Sequence, residues 1–360
     1  MESKPFAGKR VLVTGGTGSL GKALVKRLLS GDHGLPARVI VFSRDEAKQH
    51  LMRLEYQHRK VATDEVIFHN FQGRLQFHIG DVRDYACVAS ALRGADIVFN
   101  AAALKQVPSC EYFPWEAVRT NVEGPHNIVR AIQELRLPVE TVIGISTDKA
   151  CKPVSVMGMT KALQERLFIQ ANLSSSYCNP TTRFVCARYG NVLASRGSVV
   201  PLFREQIRNG GPVTITSAQM TRFLLSLDDA VDTIFAAFRD AKPGETYIPR
   251  APSALITDVA KALIGSRDID IEVIGIRPGE KVHESLISEE ESLRTVKRGN
   301  WYAILPMVPE LRGESRGDGS LNAEYSSGDD VLDFAATEQL LIRHKLMVED
   351  VRAEVGELLA

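Results

Sequence analysis

The chain has no surplus of charge of either sign, no paired-cysteine motif and no long apolar run, and each absence narrows its chemistry. Lys+Arg and Asp+Glu stand at 44 each, so no basic face is built for nucleic acid or an anionic membrane. A local cationic pocket for a diphosphate would not show in that total. Its five cysteines (Cys87, Cys110, Cys151, Cys178, Cys186) include no CxxC pair, which argues against a disulfide framework or a zinc site and fits a reducing cytosol. Cys151, two residues after Lys149, reads as a small buried filler rather than a reactive thiol. The segment MESKPFAGKR lacks the apolar core of a signal peptide. No run approaches the ~20 apolar residues of a membrane helix. Repeats and low-complexity tracts are also missing, so the expectation is a soluble, cytoplasmic protein. What is present is ordinary globular composition, 44% hydrophobic and 24% charged over 360 residues.

Short β-branched runs alternate with helix-compatible stretches. Arg10–Thr14, Arg38–Phe42, Leu75–Ile79, Asp96–Asn100 and Thr141–Ser146 read as strands. Leu20, Ala23, Leu24 and Leu28 recur at helical spacing after the first strand, and Asp45–Lys60 has helical potential. This alternation predicts an α/β fold: a Rossmann-type doubly wound parallel sheet with a smaller, interleaved C-terminal substrate-binding lobe. Residues 1–190 are assigned to a dinucleotide-binding domain and 191–360 mainly to the lobe. In the second part, Val213–Thr216, Tyr247–Pro249 and Ile271–Ile274 are β-like. Asp228–Phe238 reads as a helix with Asp228 and Asp229 in its first turn. Arg312–Asp330, rich in Gly, Ser, Asp and Glu, reads as a loop.

Thr14-Gly-Gly-Thr-Gly-Ser-Leu-Gly21 places glycines at 15, 18 and 21 between a strand and a helix. A helix N-terminus offers unpaired N–H groups and a positive dipole end to a pyrophosphate, and glycine lets the backbone reach it. The expected cofactor contacts are Gly15, Thr17, Gly18, Ser19, Leu20 and Gly21. Where the second strand would end in an acidic residue for a free 2′-hydroxyl, the chain has Ser43-Arg44-Asp45. A hydroxyl and a guanidinium there favour NADP; the other reading leaves Arg44 solvated and Asp45 on a ribose. Asp81 and Val82 are placed beside the adenine, and Ala101, Ala102 and Ala103 let the cofactor lie close to the backbone.

With these motifs the chain resembles the extended short-chain dehydrogenase/reductases, most closely the UDP-N-acetylglucosamine 4,6-dehydratases of polysaccharide biosynthesis. The resemblance runs from about Lys9 to about Ser288. It rests on TGGTGSLG, FSRDE, GDVRD, NAAALKQVP, STDKA, RYGNVLASRGSVVPLF, MTRF and RPGEKVHE. One departure is marked. The family's YxxxK pair has its Lys at Lys161, but Met157 stands at the tyrosine position, and a thioether cannot transfer a proton. Either the site is silent, or the chain is of the dehydratase subset that resembles it in carrying Met; retained Asp148 and Lys149 favour the second.

The resemblance implies that C4 of the hexose is oxidised by NADP+, that water is lost across C5 and C6, and that the hydride returns to C6. Such a route needs a base and an acid at sugar distance. Lys149 is assigned as the C5 base with a lowered pKa, Asp148 as the acid for water loss and C4 base, and Thr147 as a partner of the 4-hydroxyl. Lys161 is assigned to the nicotinamide ribose. For the UDP-sugar, Lys105 is set near the sugar or phosphates and Asn191 at a substrate-contacting position. Val199 is placed under the base, Arg277 on the diphosphate and Glu280 on the ribose. Arg222 is expected in a structural ion pair. The rivals are a UDP-hexose 4-epimerase and an NADP-binding regulator without turnover. Self-association into a homo-oligomer is expected from the family.

Overall fold

The computed structural model describes residues 4–56, 73–178, 182–193, 198–312 and 321–350. Six parallel strands open the chain: β1 (Arg10–Thr14), β2 (Arg38–Ser43), β3 (Leu75–Ile79), β4 (Ile97–Asn100), β5 (Thr141–Thr147) and β6 (Arg183–Tyr189). They lie in the order β6-β5-β4-β1-β2-β3, so the sheet winds outward in both directions from β1 and β4. That reversal makes the crevice where open α/β sheets bind ligands. Beyond β6, Thr246–Pro249 adds a further parallel strand, and the antiparallel pair Trp301–Ile304 and Thr295–Arg298 closes that edge. Chain from the second half therefore completes the main sheet.

The sheet strands are apolar in nearly every position because both faces are covered. Val11, Leu12 and Val13 are at most 2% exposed, and each such side chain contributes about 1.5–3 kcal/mol by leaving water. Leu24, Val25 and Leu28 of the helix Ser19–Ser30 and Val231, Ile234 and Phe235 of Leu227–Asp240 cover one face. Val88, Ile128, Ile132 and Phe168 cover the other, from the helices Tyr85–Leu92, Gly124–Glu134 and Val156–Cys178. Ser226 and Asp229 form a reciprocal capping box that starts Leu227–Asp240 where two first-turn aspartates suit the helix dipole.

A second sheet joins Asn191–Val192, Thr221–Leu225, Ser253–Leu255 and Val331–Leu332. A third core, with Val200, Phe203, Val259, Leu263 and Leu341, packs between the helices Val199–Arg208, Ile256–Ile264 and Phe334–Arg343. Two stretches refine the sequence reading. Residues 57–60 of the polar stretch after β2 lie outside the described residues, and Glu46–Tyr56 is helical. Within Arg312–Asp330, Tyr325–Ser326 pairs with Ser285–Ile287, while 313–320 lie outside the described residues. Among the described residues no helix is long and apolar enough to cross a membrane.

Candidate active site

At the end of β1 the glycine turn is held against the end of β4. The Thr14 hydroxyl donates to Asn100 Oδ1 at 2.8 Å and accepts the Ala102 N–H at 3.2 Å. Gly15 has φ +65°, and a Cβ there would lie 2.8 Å from Ala102 Cα. Gly21 sits so close under the turn that a Cβ would be 2.4 Å from the Gly15 carbonyl oxygen. At Gly18 an added Cβ would meet that same oxygen at 3.3 Å, and Gly18 is exposed. The helix Ser19–Ser30 carries no side-chain cap, so its first N–H groups remain for a ligand. Thr17 is buried, and Ser19 and Leu20 are half-buried. This cradle fits a dinucleotide diphosphate.

Where β2 and β3 end, Arg44 is 60% exposed, with its guanidinium 3.9 Å from Asp81. Ser43 is buried and its hydroxyl accepts from Gln49 Nε2 at 3.2 Å, so Arg44 presents the outward donor of the two. Burial pushes the Asp81 carboxyl up, but hydrogen bonds from Arg83 outweigh it and hold Asp81 below the ordinary range. Val82 is buried, and its carbonyl accepts from Asn127 Nδ2.

β5 ends in a single 3-10 turn, Asp148–Ala150, capped by Thr147. Asp148 is fully buried. Its Oδ1 accepts from the Thr147 hydroxyl at 2.8 Å and from Lys149 Nζ at 3.1 Å, while Oδ2 is buried with no partner among the described residues. Lys149 Nζ also donates to Asn191 Oδ1 at 3.3 Å and lies 3.5 Å from Glu284 Oε1. Thr147, Asp148, Lys149 and Asn191 thus meet as the motifs suggest.

The expected lowering of the Lys149 pKa is overturned. Burial acts in that direction, and Arg222 adds to it, but the Asp148 and Glu284 carboxylates outweigh both and raise the pKa. The lysine with a lowered pKa is Lys161, pushed down to about 8 by burial. Its Nζ donates to the Ile145 carbonyl and to Gln164 Oε1, leaving one proton for a ligand. Met157 is buried with Cys110 and Ala117, bordered by Leu104, Val107 and Val156. An apolar wall occupies the tyrosine position. Cys151 is buried, its thiol pushed up to about 12 by that burial, as expected of a filler.

Among the remaining candidates, Lys105 and Arg277 are exposed and Val199 is half-buried in the first turn of its helix. The Glu280 N–H closes a turn onto the Arg277 carbonyl, and Glu280 Oε2 is buried without a partner. Residues Ala194–Gly197 of the RYGNVLASRGSVVPLF motif lie outside the described residues. The ion pair expected of Arg222 is not found among the described residues; its guanidinium holds the carbonyls of Thr221, Lys281 and Val282 instead. Sequence reasoning missed two further residues. Glu284 stood unassigned at the end of RPGEKVHE, although that motif pointed to it. Asn121, in the π-helical turn Arg119–Glu123, binds both the N–H and the carbonyl of Leu104 and donates to Thr160 Oγ1. It ties the segment after β4 to the helix of Lys161, and nothing in the sequence marks such a π-turn.

The family model described as polysaccharide biosynthesis protein matches residues 11–306. The chain belongs to that family. It is an extended short-chain dehydrogenase/reductase of the nucleotide-sugar dehydratase and epimerase class. It is 42% identical over 329 residues, 91% of each chain, to the UDP-N-acetylglucosamine 4,6-dehydratase (inverting) of Campylobacter jejuni. To the UDP-glucose 4-epimerase of Rickettsia akari it is 43% identical over 304 residues, 83% of each chain. The solved structure of Pen from Bacillus thuringiensis is similar at 33% identity and TM-score 0.83, over 95% of this chain and 99% of that one. The dTDP-glucose 4,6-dehydratase DesIV from Streptomyces venezuelae shares the fold at 21% identity and TM-score 0.63, over 76% and 86% of the two chains.

Proposed function

We propose that this enzyme is a cytoplasmic lyase, a 4,6-dehydratase that converts UDP-N-acetylglucosamine to a UDP-4-keto-6-deoxy-N-acetylhexosamine with NADP. The observation that carries the reading is the Asp148–Lys149 contact at 3.1 Å on the end of β5, a ready acid and base beside an unpartnered carboxylate oxygen.

The glycine turn with Thr17, Ser19 and Leu20 would hold the diphosphate, and Arg44 a 2′-phosphate. Asp81 and Val82 would flank the adenine, Ala101–Ala103 would line the backbone side, and Lys161 would bind the nicotinamide ribose. When bound, the nicotinamide supplies hydride acceptance from C4 and hydride return to C6. The protons are moved by the chain. The Asp148 carboxylate takes the proton of the C4 hydroxyl and, holding it, protonates the departing C6 hydroxyl. Lys149, in the minor free-amine fraction that its carboxylate neighbours allow, removes the proton that the C4 ketone has made acidic at C5, then returns a proton to C5 when the hydride reaches C6. Both groups end as they began, so the cycle closes without outside proton donors. Thr147 fixes one Asp148 oxygen. Lys105, Asn191, Val199, Arg277 and Glu280 complete the substrate contacts.

A 4-epimerase is the second reading, favoured by the relatives of that name at similar identity. Incubation with UDP-N-acetylglucosamine and NADP in deuterated water, followed by mass spectrometry, decides between them. Loss of one water with one deuterium gained is expected. A C4 epimer of unchanged mass would sink dehydration. Unchanged sugar across a panel of UDP-sugars, with dinucleotide bound, would mean a silent site.

A further inference from the structure

Glu284 is 2% exposed and its backbone is pinned on both sides, the N–H donating to Ser327 Oγ and the carbonyl accepting the Ser327 N–H. Its side chain lies between two lysines that both reach the Asp148–Ala150 turn region. Oε1 is 3.5 Å from Lys149 Nζ, and Oε2 is 3.8 Å from Lys281 Nζ with no hydrogen bond of its own. Lys281 in turn donates to the Cys151 carbonyl at 2.8 Å. A carboxylate this deep persists as a charge only with cations beside it.

The charged and polar groups around Lys149 come from four elements. Asp148 belongs to its own turn, Asn191 to the strand after β6, Arg222 to Thr221–Leu225 and Glu284 to the segment before Ser285–Ile287. Arg222 opposes the lysine's charge, and Asn191 is neutral. In the proposed reaction Asp148 is consumed by proton transfer with the sugar. Glu284 is then the remaining counter-charge.

We propose that Glu284 is a positioning residue that holds the Lys149 ammonium at the end of β5 and sets the pH at which Lys149 becomes a free amine. Its catalytic consequence rests on the dehydratase reading; its hold on Lys149 does not. In the dinucleotide-loaded enzyme, competitive acetic anhydride labelling of Lys149 across pH, read by peptide mass spectrometry, measures that midpoint without turnover. Glu284→Gln keeps the shape and removes the charge. Its midpoint is expected to fall by about one pH unit, and the acid limb of kcat/KM with UDP-N-acetylglucosamine is expected to move down equally. An unmoved midpoint overturns the proposal. A moved midpoint in an enzyme that makes no keto sugar leaves Glu284 in this role and removes the dehydratase reading. Should Glu284→Gln fail to fold, Glu284→Asp, which withdraws the charge by one methylene, is expected to move the midpoint down by less; a wild-type midpoint there also overturns the proposal.

Discussion

Lys161 is buried and Lys149 half-buried, and their charges are held in opposite ways. Lys149 faces two carboxylates, whereas Lys161 hydrogen-bonds a carbonyl and an amide oxygen, with the Glu165 carboxylate offsetting its burial only in part. Neutral acceptors do not offset the desolvation of an ammonium, so Lys161 falls from the ordinary 10.5 to about 8, a cost of about 3 kcal/mol to the fold while it stays charged. Below pH 8 both folded and unfolded chains carry the proton and the cost is full. Between pH 8 and 10.5 only the unfolded chain carries it, so stability rises with pH. Lys161→Met is therefore expected to raise Tm at pH 7, by up to the equivalent of about 3 kcal/mol. That gain should shrink as pH climbs from 8 to 10.5, while dinucleotide affinity drops. Calorimetry at pH 7 and pH 10 with parallel NADP titrations checks both; a gain independent of pH would assign it to packing alone. The residue types and their places were legible in STDKA and the Lys161 position. The sign of the Lys149 shift was not, because the second carboxylate beside it, Glu284, reaches it from a distant segment.

Helix Val156–Cys178 reaches the Asp148–Ala150 turn through a missing side chain. A Cβ at Gly158 would lie 2.2 Å from the Lys149 carbonyl oxygen and 3.2 Å from Pro153 Cβ, so helix and turn touch backbone to backbone. Alanine is the better helix former by about 1 kcal/mol, but here it would have to push the turn or the helix away. A displacement near 1 Å at reacting groups costs on the order of 10²-fold in rate. Gly158→Ala is expected to lower kcat about that much while the diphosphate cradle, built from β1 and the helix Ser19–Ser30, still binds dinucleotide. Turnover at the wild-type rate would show that the helix retreats without moving Lys149. Strands β1 to β5 were legible to within a residue at each end, because buried parallel strands are unbroken β-branched runs. The hairpin Thr295–Ile304 and the second sheet were not. Their strands span two to five residues, carry polar positions such as Lys297 and Arg298, and find partners only through tertiary contacts.

Across the whole molecule, one buried cation joins parts of the chain that no motif links. Arg188 of β6 donates to both oxygens of Glu165, on the helix of Lys161, and to both oxygens of Glu291, on the short helix Glu289–Ser292, with contacts of 2.7–2.9 Å. It also binds the Leu286 carbonyl, and the Cys151 thiol leans on Glu291 at 3.7 Å. The main sheet, the Asp148–Ala150 turn region and the segment that carries Glu284 are thereby tied at one point. Burial pushes Glu291 up, but Arg188 overcomes it and holds the carboxyl down at about 2, against an ordinary 4.5. A depressed carboxyl contributes stability that is fully present above pH 4.5 and is lost as pH falls towards 2. Arg188→Met, close in length and apolar, would leave Glu165 buried without this cation and Glu291 with Arg294 alone at 3.8 Å, and is expected to cost about 3–5 kcal/mol at pH 7. Denaturant titrations of both proteins from pH 7 to pH 3 separate charge from packing. If charge dominates, the gap between them narrows as Glu291 gains a proton, since a neutral carboxyl needs no cation. A gap that stays constant with pH would instead make Arg188 a space-filler, and the two halves of the fold would owe their union to the shared sheet alone.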